Sequence, residues 1–191
     1  MKENCRKYLV EFIGTFFLVF TVGCCVLFNM PGVIPAIAIG GALMIMVYAG
    51  GPVSGGHYNP AVSLAAVVRG ALPVSELLPY WIAQILGAVA AALLMLQMVV
   101  PPMFTNAVNY ESIGLIIGEF LFTFALCYVV LFTATSPDTQ GNSYFGLAIG
   151  STVTTGIFAV GSAICYGAFN PAVAIGLGTL QIADWPSILL T

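Results

Sequence analysis

The chain has 191 residues, of which 60% are hydrophobic and only 6% are charged. Soluble domains carry roughly 25% charged residues, so the composition excludes a soluble protein and predicts an integral membrane protein. The net charge of −3 comes from few residues and includes no basic patch, which argues against a nucleic acid partner.

The first half contains three apolar runs of about the 20 residues that a helix needs to cross a bilayer. Outer-membrane barrels instead use short strands that alternate in polarity, so the long runs predict an all-helical fold. Segments rich in proline and glycine separate the runs, at residues 29–32, 50–52 and 101–102. The predicted spans are Tyr8–Phe28, Val33–Ala49 and Tyr80–Val100, with a connector at Gly70–Pro79.

The second half contains two further apolar runs, Glu111–Thr133 and Ser143–Ile164. A polar loop precedes each of them, at Met103–Tyr110 and at Ser136–Asn142. We therefore predict five full spans in the chain.

A short motif, Asn-Pro-Ala, follows a glycine-containing loop in each half. Asparagine is a good N-cap residue, and proline is tolerated at the first position of a helix. Each copy therefore predicts a short helix, ending near Arg69 or Leu180, that cannot cross a bilayer. The motif residues are Asn59, Pro60, Ala61, Asn170, Pro171 and Ala172.

The two halves repeat each other. The pattern Glu11-Phe12-x-x-Thr15 returns 108 positions later at Glu119, and the two Asn-Pro-Ala copies lie 111 positions apart. The first half has three full spans, an odd number, so the second half starts from the opposite face. This predicts one membrane domain over residues 1–191, built from inverted repeats at about 8–100 and 111–191. The two half-helices then enter from opposite faces.

The second repeat is shorter than the first. Asn59 is 41 positions from Val100, whereas Asn170 is 21 positions from Thr191. About one span is missing after the second half-helix, so we expect the natural protein to have a sixth span that this chain lacks.

The few positive residues predict the orientation, because Lys and Arg favour the cytoplasmic side of short loops. Lys2, Arg6 and Lys7 precede the first span, and Arg69 falls on the same side. This predicts a multi-pass protein with a cytoplasmic N-terminus, and the short loops are typical of a prokaryotic inner-membrane protein.

The paired half-helices predict a pore. Irregular backbone at membrane depth must be buried in protein or line a wet cavity. Two helix N-termini would place partial positive charge there, and the Asn59 and Asn170 amides would add N–H donors. Such a site orients a neutral, water-like molecule and repels cations.

With these motifs in both halves, the chain resembles the aquaporins, the major intrinsic protein family. The match is carried by residues 11–15, 54–62 and 167–172. The resemblance implies six spans plus two re-entrant half-helices, one pore per protomer and a homotetramer in the lipid bilayer. It also implies passive conduction of water or small neutral solutes, with protons excluded and no cofactor.

The resemblance further implies a selectivity constriction formed by Ile39, Phe158, Gly167 and Val173. Family members usually have Arg after the second motif, where this chain has Val173. Water-selective members tend to have His in place of Phe158 and an aromatic residue in place of Ile39. The expected neck is apolar and has no fixed charge, which suggests passage of glycerol, hydrogen peroxide, ammonia or carbon dioxide as well as water.

Three ionisable residues have two interpretations each. Glu11 and Glu119 lie within spans, where a carboxylate is costly and usually functional; we favour loop support over proton coupling. His57 precedes Asn59 by two positions and is either a hydrogen-bonded loop residue or a pH gate.

Two other functions compete with a passive channel. An ion- or proton-coupled secondary transporter also uses inverted repeats and broken helices, and a non-conducting structural membrane protein would need no open pore. The sequence has no nucleophile–base pair, and its five cysteines lack metal-type spacing, so we predict neither an enzyme nor a metal site.

Overall fold

The computed structural model describes residues 2–98, 112–161 and 163–190. Within those ranges the chain is helical and forms no strand, which confirms the predicted fold class. The helices are α1 (Lys2–Leu27), α2 (Ile34–Ser54), α3 (Pro60–Arg69), α4 (Val74–Met98), α5 (Ser112–Thr135), α6 (Phe145–Ala159), α7 (Pro171–Thr179) and α8 (Trp185–Ile188), with a 3-10 turn at Pro137–Thr139.

Four of the described helices, α1, α2, α4 and α5, are long and apolar enough to cross a membrane. The predicted span at Ser143–Ile164 is shorter than expected, because α6 has 15 residues and rises only ~22 Å. The chain turns after Ala159, and the Gly161 N–H donates to the Gly156 carbonyl. A Cβ on Gly161 would lie 2.8 Å from the Ile157 backbone, so glycine permits this tight turn.

The segment Gly70–Pro79 is not wholly a connector, because α4 begins at Val74 and includes Pro79. Glu76 in its first turn accepts hydrogen bonds from Tyr8 Oη (2.7 Å) and Asn4 Nδ2 (3.1 Å). A carboxylate is also favourable at a helix N-terminus, so Glu76 helps to start α4 and ties it to α1. The predicted boundaries at Val100 and Glu111 and the loop Met103–Tyr110 lie outside the described residues.

Close helix contacts depend on glycine. A Cβ on Gly87 of α4 would lie 2.4 Å from the Phe12 carbonyl oxygen of α1. At the crossing of α2 and α6, a Cβ on Gly40 would lie 2.6 Å from the Gly150 oxygen, and one on Gly150 would lie 2.4 Å from the Gly40 oxygen. Small residues of this kind allow membrane helices to approach closely.

The two short helices end at opposite ends of the bundle. The end of α3 packs in a cluster of Ala66, Leu72 and Tyr80, near the start of α4. The end of α7 packs through Leu180 against Leu27 and Met95, near the ends of α1 and α4. Their N-termini therefore face each other inside the bundle.

We predict that Gly40→Ala destabilises the protein, whereas Gly41→Ala does not. A methyl group on Gly40 must displace the α6 backbone, and overpacking of this kind costs about 1–3 kcal/mol. A Cβ on Gly41 meets nothing within 4 Å, and alanine is the better helix former by up to ~1 kcal/mol. Thermal unfolding in detergent should show a lower midpoint for Gly40→Ala alone; equal midpoints for the two variants would contradict this account of the crossing.

Candidate functional site

Each short helix begins at the asparagine of its Asn-Pro-Ala motif. Asn59 is the N-cap of α3, and its side-chain oxygen accepts a hydrogen bond from the Ala61 N–H at 2.9 Å. Asn170 is the N-cap of α7, and its side-chain oxygen accepts from the Ala172 N–H at 2.9 Å. The caps fix both amide groups, with their nitrogens turned away from their own helices.

The two amide nitrogens bind each other's loops. Asn59 Nδ2 donates to the Phe169 carbonyl oxygen at 2.9 Å, and Asn170 Nδ2 donates to the Tyr58 carbonyl oxygen at 2.8 Å. Both asparagines are nearly fully buried. These reciprocal bonds hold the N-termini of α3 and α7 together.

The residue before each asparagine has a left-handed backbone. Tyr58 has φ 50° and Phe169 has φ 47°, a conformation that costs a non-glycine residue roughly 1–2 kcal/mol. Both rings are buried, and Tyr58 Oη donates to the Met46 carbonyl at 2.8 Å. The left-handed backbone turns the carbonyl of Tyr58 toward Asn170 and the carbonyl of Phe169 toward Asn59.

Glu11 holds the first loop from its place in α1. Its carboxylate is fully buried and accepts from the N–H groups of His57 (3.0 Å) and Tyr58 (2.7 Å). It also accepts from Ser54 Oγ (2.7 Å) and Gln84 Nε2 (2.8 Å). A carboxylate has about four acceptor positions, so these four donors satisfy it.

Glu119 occupies the equivalent place in α5 beside the second loop. It accepts from the Ala168 N–H at 3.1 Å and from the Phe169 N–H at 2.6 Å, and it is 1% exposed. Both carboxylates therefore bind the loop N–H that directly precedes the motif asparagine.

His57 is held on both sides of its ring. Its Nδ1 lies 3.1 Å from Ser63 Oγ, and its ring packs against Tyr80 with a centroid distance of 5.3 Å. Ser63 Oγ also accepts from Gln84 Nε2 at 2.9 Å. Sequence reasoning missed Ser63 and Gln84, although a glutamine inside an apolar span was a visible signal.

The two motifs face a narrow cavity of about 20 Å³, which is room for roughly one water. Its described walls are mostly aliphatic, and they carry no charged side chain other than the imidazole of His57 when it is protonated. The lining residues of the first half are Leu18, Val22, Ile39, Leu43, Gly56, His57, Asn59 and Val62. Those of the second half are Leu126, Val130, Ile149, Val153, Gly167, Ala168, Asn170 and Val173.

The described lining residues of the two halves correspond in order, at separations of 108 to 111 positions. Seven of the eight lining residues of the first half correspond to an identical or similar residue in the second half. The one unlike pair is His57 and Ala168. Sequence reasoning missed most of these wall residues, although the repeat offset could have found half of them from the other half.

The structure brings together three of the four residues predicted for the constriction. Ile39, Gly167 and Val173 line the cavity, but Phe158 does not, and its side chain is 54% exposed. Helix α6 faces the cavity with Ile149 and Val153 instead. Phe158 follows Val153 by five residues, which places it about 140° around the helix, so it does not share the face through which α6 lines the described cavity.

Comparison with known proteins agrees with this geometry. The family model described as "Major intrinsic protein" matches residues 1–190. The chain is 36% identical over 191 residues to Aquaporin TIP2-1 of Arabidopsis thaliana, covering 90% of this chain and 76% of that protein. It is 34% identical over 183 residues to Nodulin-26 of Glycine max, covering 90% of this chain and 66% of that protein.

A bacterial relative and a solved structure extend the comparison. The chain is 35% identical over 180 residues to Glycerol uptake facilitator protein-like 6 of Lactiplantibacillus plantarum, covering 90% of this chain and 82% of that protein. The X-ray structure of the aquaglyceroporin from Plasmodium falciparum superposes with a TM-score of 0.75 at 18% identity, covering 98% of this chain and 93% of that one; this likeness shows the fold. The chain belongs to the major intrinsic protein family, whose members are passive membrane channels for water and small solutes and are not enzymes.

Proposed function

We propose that this chain conducts water and small neutral solutes passively through the cavity between the two Asn-Pro-Ala motifs. The candidate solutes besides water are glycerol, hydrogen peroxide, ammonia and carbon dioxide. Protons and ions are excluded. The observation that carries the proposal is the pair of asparagine amides, held by reciprocal hydrogen bonds at a narrow and mostly aliphatic cavity.

The asparagines supply donors to a passing molecule. An amide nitrogen has two protons, and the loop bond of Asn59 or Asn170 uses one of them. The other is available to a solute oxygen in the cavity that both side chains line. A molecule that accepts from both amides turns its own protons outward, which interrupts a chain of proton transfer.

The helix ends supply the barrier to cations. The N-termini of α3 and α7 meet at the asparagines, and each carries about half a positive charge. No carboxylate lines the described part of the cavity, so a cation would lose its hydration without finding a compensating charge.

The composition of the neck supports a wider range of solutes than water alone. Ile39, Gly167 and Val173 give it no fixed charge and no rigid guanidinium donor. Water gains little there, whereas a weakly hydrated molecule loses little. This supports passage of dissolved gases, and the space left by the absent guanidinium supports passage of a larger solute such as glycerol.

We further propose that Glu11 and Glu119 position the two loops and do not couple transport to protons. Both accept N–H groups of the loops, and neither lines the described cavity. The contacts of His57 with Ser63 and Tyr80 support a packed loop residue over a pH gate.

The setting of the channel is also a proposal. The positive residues near the first span support a cytoplasmic N-terminus in a prokaryotic inner membrane. Membership of the family supports a homotetramer with one pore in each protomer. Native mass spectrometry from detergent would give a mass of four chains.

Proteoliposomes containing the protein should shrink in an osmotic gradient faster than empty vesicles and should also take up glycerol. The reason is that the neck presents no charge, and the asparagine donors beside it replace part of the hydration of a solute. Stopped-flow light scattering measures both fluxes. Water flux equal to that of empty vesicles would remove the water-channel proposal, and accumulation of solute against its gradient under a proton gradient would replace it with a coupled transporter.

Glu11→Gln should lower the thermal unfolding midpoint more than Asp138→Asn. The glutamine amide would turn a donor toward loop N–H groups, and a buried donor without its acceptor costs roughly 1–3 kcal/mol. Asp138 is an exposed carboxylate and controls for the loss of charge. Unfolding in detergent measures the shift; equal midpoints for the two variants would contradict the loop-supporting role.

A further inference from the structure

The correspondence between the two halves includes the aliphatic residues that line the cavity on both sides of the asparagine pair. Three of the corresponding pairs consist of identical aliphatic residues: Val22 with Val130, Ile39 with Ile149, and Val62 with Val173. Each of these six side chains is at most 8% exposed. One member of each pair belongs to α1, α2 or α3, and the other to α5, α6 or α7.

Val22 and Ile39 lie at the same level of the bundle. The antiparallel helices α1 and α2 touch where a Cβ on Gly50 would lie 2.5 Å from the Val10 side chain. From that contact, Val22 is twelve residues along α1 and Ile39 is eleven residues back along α2. Both residues are therefore displaced equally toward the turn between α1 and α2.

Val130 and Ile149 lie at a common level in the second half. Helices α5 and α6 touch where a Cβ on Gly156 would lie 2.7 Å from the Phe122 ring. From that contact, Val130 is eight residues along α5 and Ile149 is seven residues back along α6.

The two levels are on opposite sides of the asparagines. The turn between α1 and α2 is at the end of the bundle where α7 ends, because Leu180 packs against Leu27. The turn between α5 and α6 is where α3 ends, because Arg69 Nε donates to Thr135 Oγ1 at 3.4 Å. We call Val22, Ile39 and Val173 the α7-side collar, and Val62, Val130 and Ile149 the α3-side collar.

We propose that the α3-side collar is a second specificity-determining constriction, acting in series with the α7-side collar. Neither collar has a side-chain donor or acceptor, so a solute loses hydrogen bonds to water at each of them and regains side-chain donors at the asparagines between. Selection against strongly hydrated solutes therefore takes place twice. The proposal rests on the proposed channel function, and it identifies strongly hydrated neutral solutes such as glycerol as the ones that the two collars slow most.

Barriers in series give a distinctive result when they are widened. If the two barriers are equal, opening one collar leaves the other limiting, so permeability rises by at most about twofold, whereas lowering both barriers tenfold raises it about tenfold. The double variant must then exceed the product of the two single effects. If the α7-side collar alone is limiting, the α3-side change adds nothing.

The test compares Ile39→Ala, Ile149→Ala and the double variant by glycerol flux into proteoliposomes. Ile37→Ala and Leu147→Ala are matched controls, since these side chains precede the collar residues by two positions and are 57% and 53% exposed. We expect each single variant to conduct at most about twofold faster than wild type, the double variant to exceed the product of the singles, and the controls to match wild type. Because loss of buried isoleucine is destabilising, Val62→Ala, Val173→Ala and their double variant form a second, milder set.

The outcomes separate this inference from the proposed function. A double variant equal to Ile39→Ala, or equal to the product of the singles, overturns the second constriction. A third outcome is a glycerol flux equal to that of empty vesicles for the wild type and both single variants, with a higher flux for the double variant. That result would support the two collars and reject conduction by the wild type. No flux from any variant would overturn both.

Discussion

The reciprocal hydrogen bonds between the two loops are the constraint on which the rest of the structure depends. Asn59 Nδ2 donates to the Phe169 carbonyl, and Asn170 Nδ2 donates to the Tyr58 carbonyl. Each asparagine thereby caps its own helix with its oxygen and anchors the opposite loop with its nitrogen. These bonds join two helices that are each too short to cross a bilayer, and they hold the positive N-terminal ends of both helices at the same place.

The loop backbone is unfavourable in conformation, and hydrogen bonds to two buried carboxylates stabilise it. Left-handed backbone at Tyr58 and Phe169 is unfavourable, and irregular backbone in a membrane must have its polar groups satisfied inside the protein. Glu11 and Glu119 do this by accepting the N–H groups of these two residues. A charge inside a span, which by itself suggests transport chemistry, has here the partners of a structural group.

The composition of the cavity walls follows from the internal repeat. Its described lining residues correspond in order between the halves, so the walls on either side of the asparagines are nearly alike. Val173 illustrates the consequence. Many family members have Arg at this position after the second motif, whereas here the residue is identical to Val62, its counterpart in the first half. His57 and Ala168 form the one unlike pair, which places the only titratable group of the described lining on one side of the centre.

The sequence by itself determined the class, the helical fold, the repeat and the two asparagine caps, because hydropathy, N-cap preference and motif spacing are local properties. The resemblance to the family pointed to Ile39, Gly167 and Val173, and these three residues line the described cavity. Only the tertiary structure decided which residues of α6 line the described cavity, namely Ile149 and Val153 and not Phe158. Where a helix ends and how it rotates depend on contacts made by distant residues, such as the Gly40–Gly150 crossing. Motif spacing along the chain carries no information about that rotation.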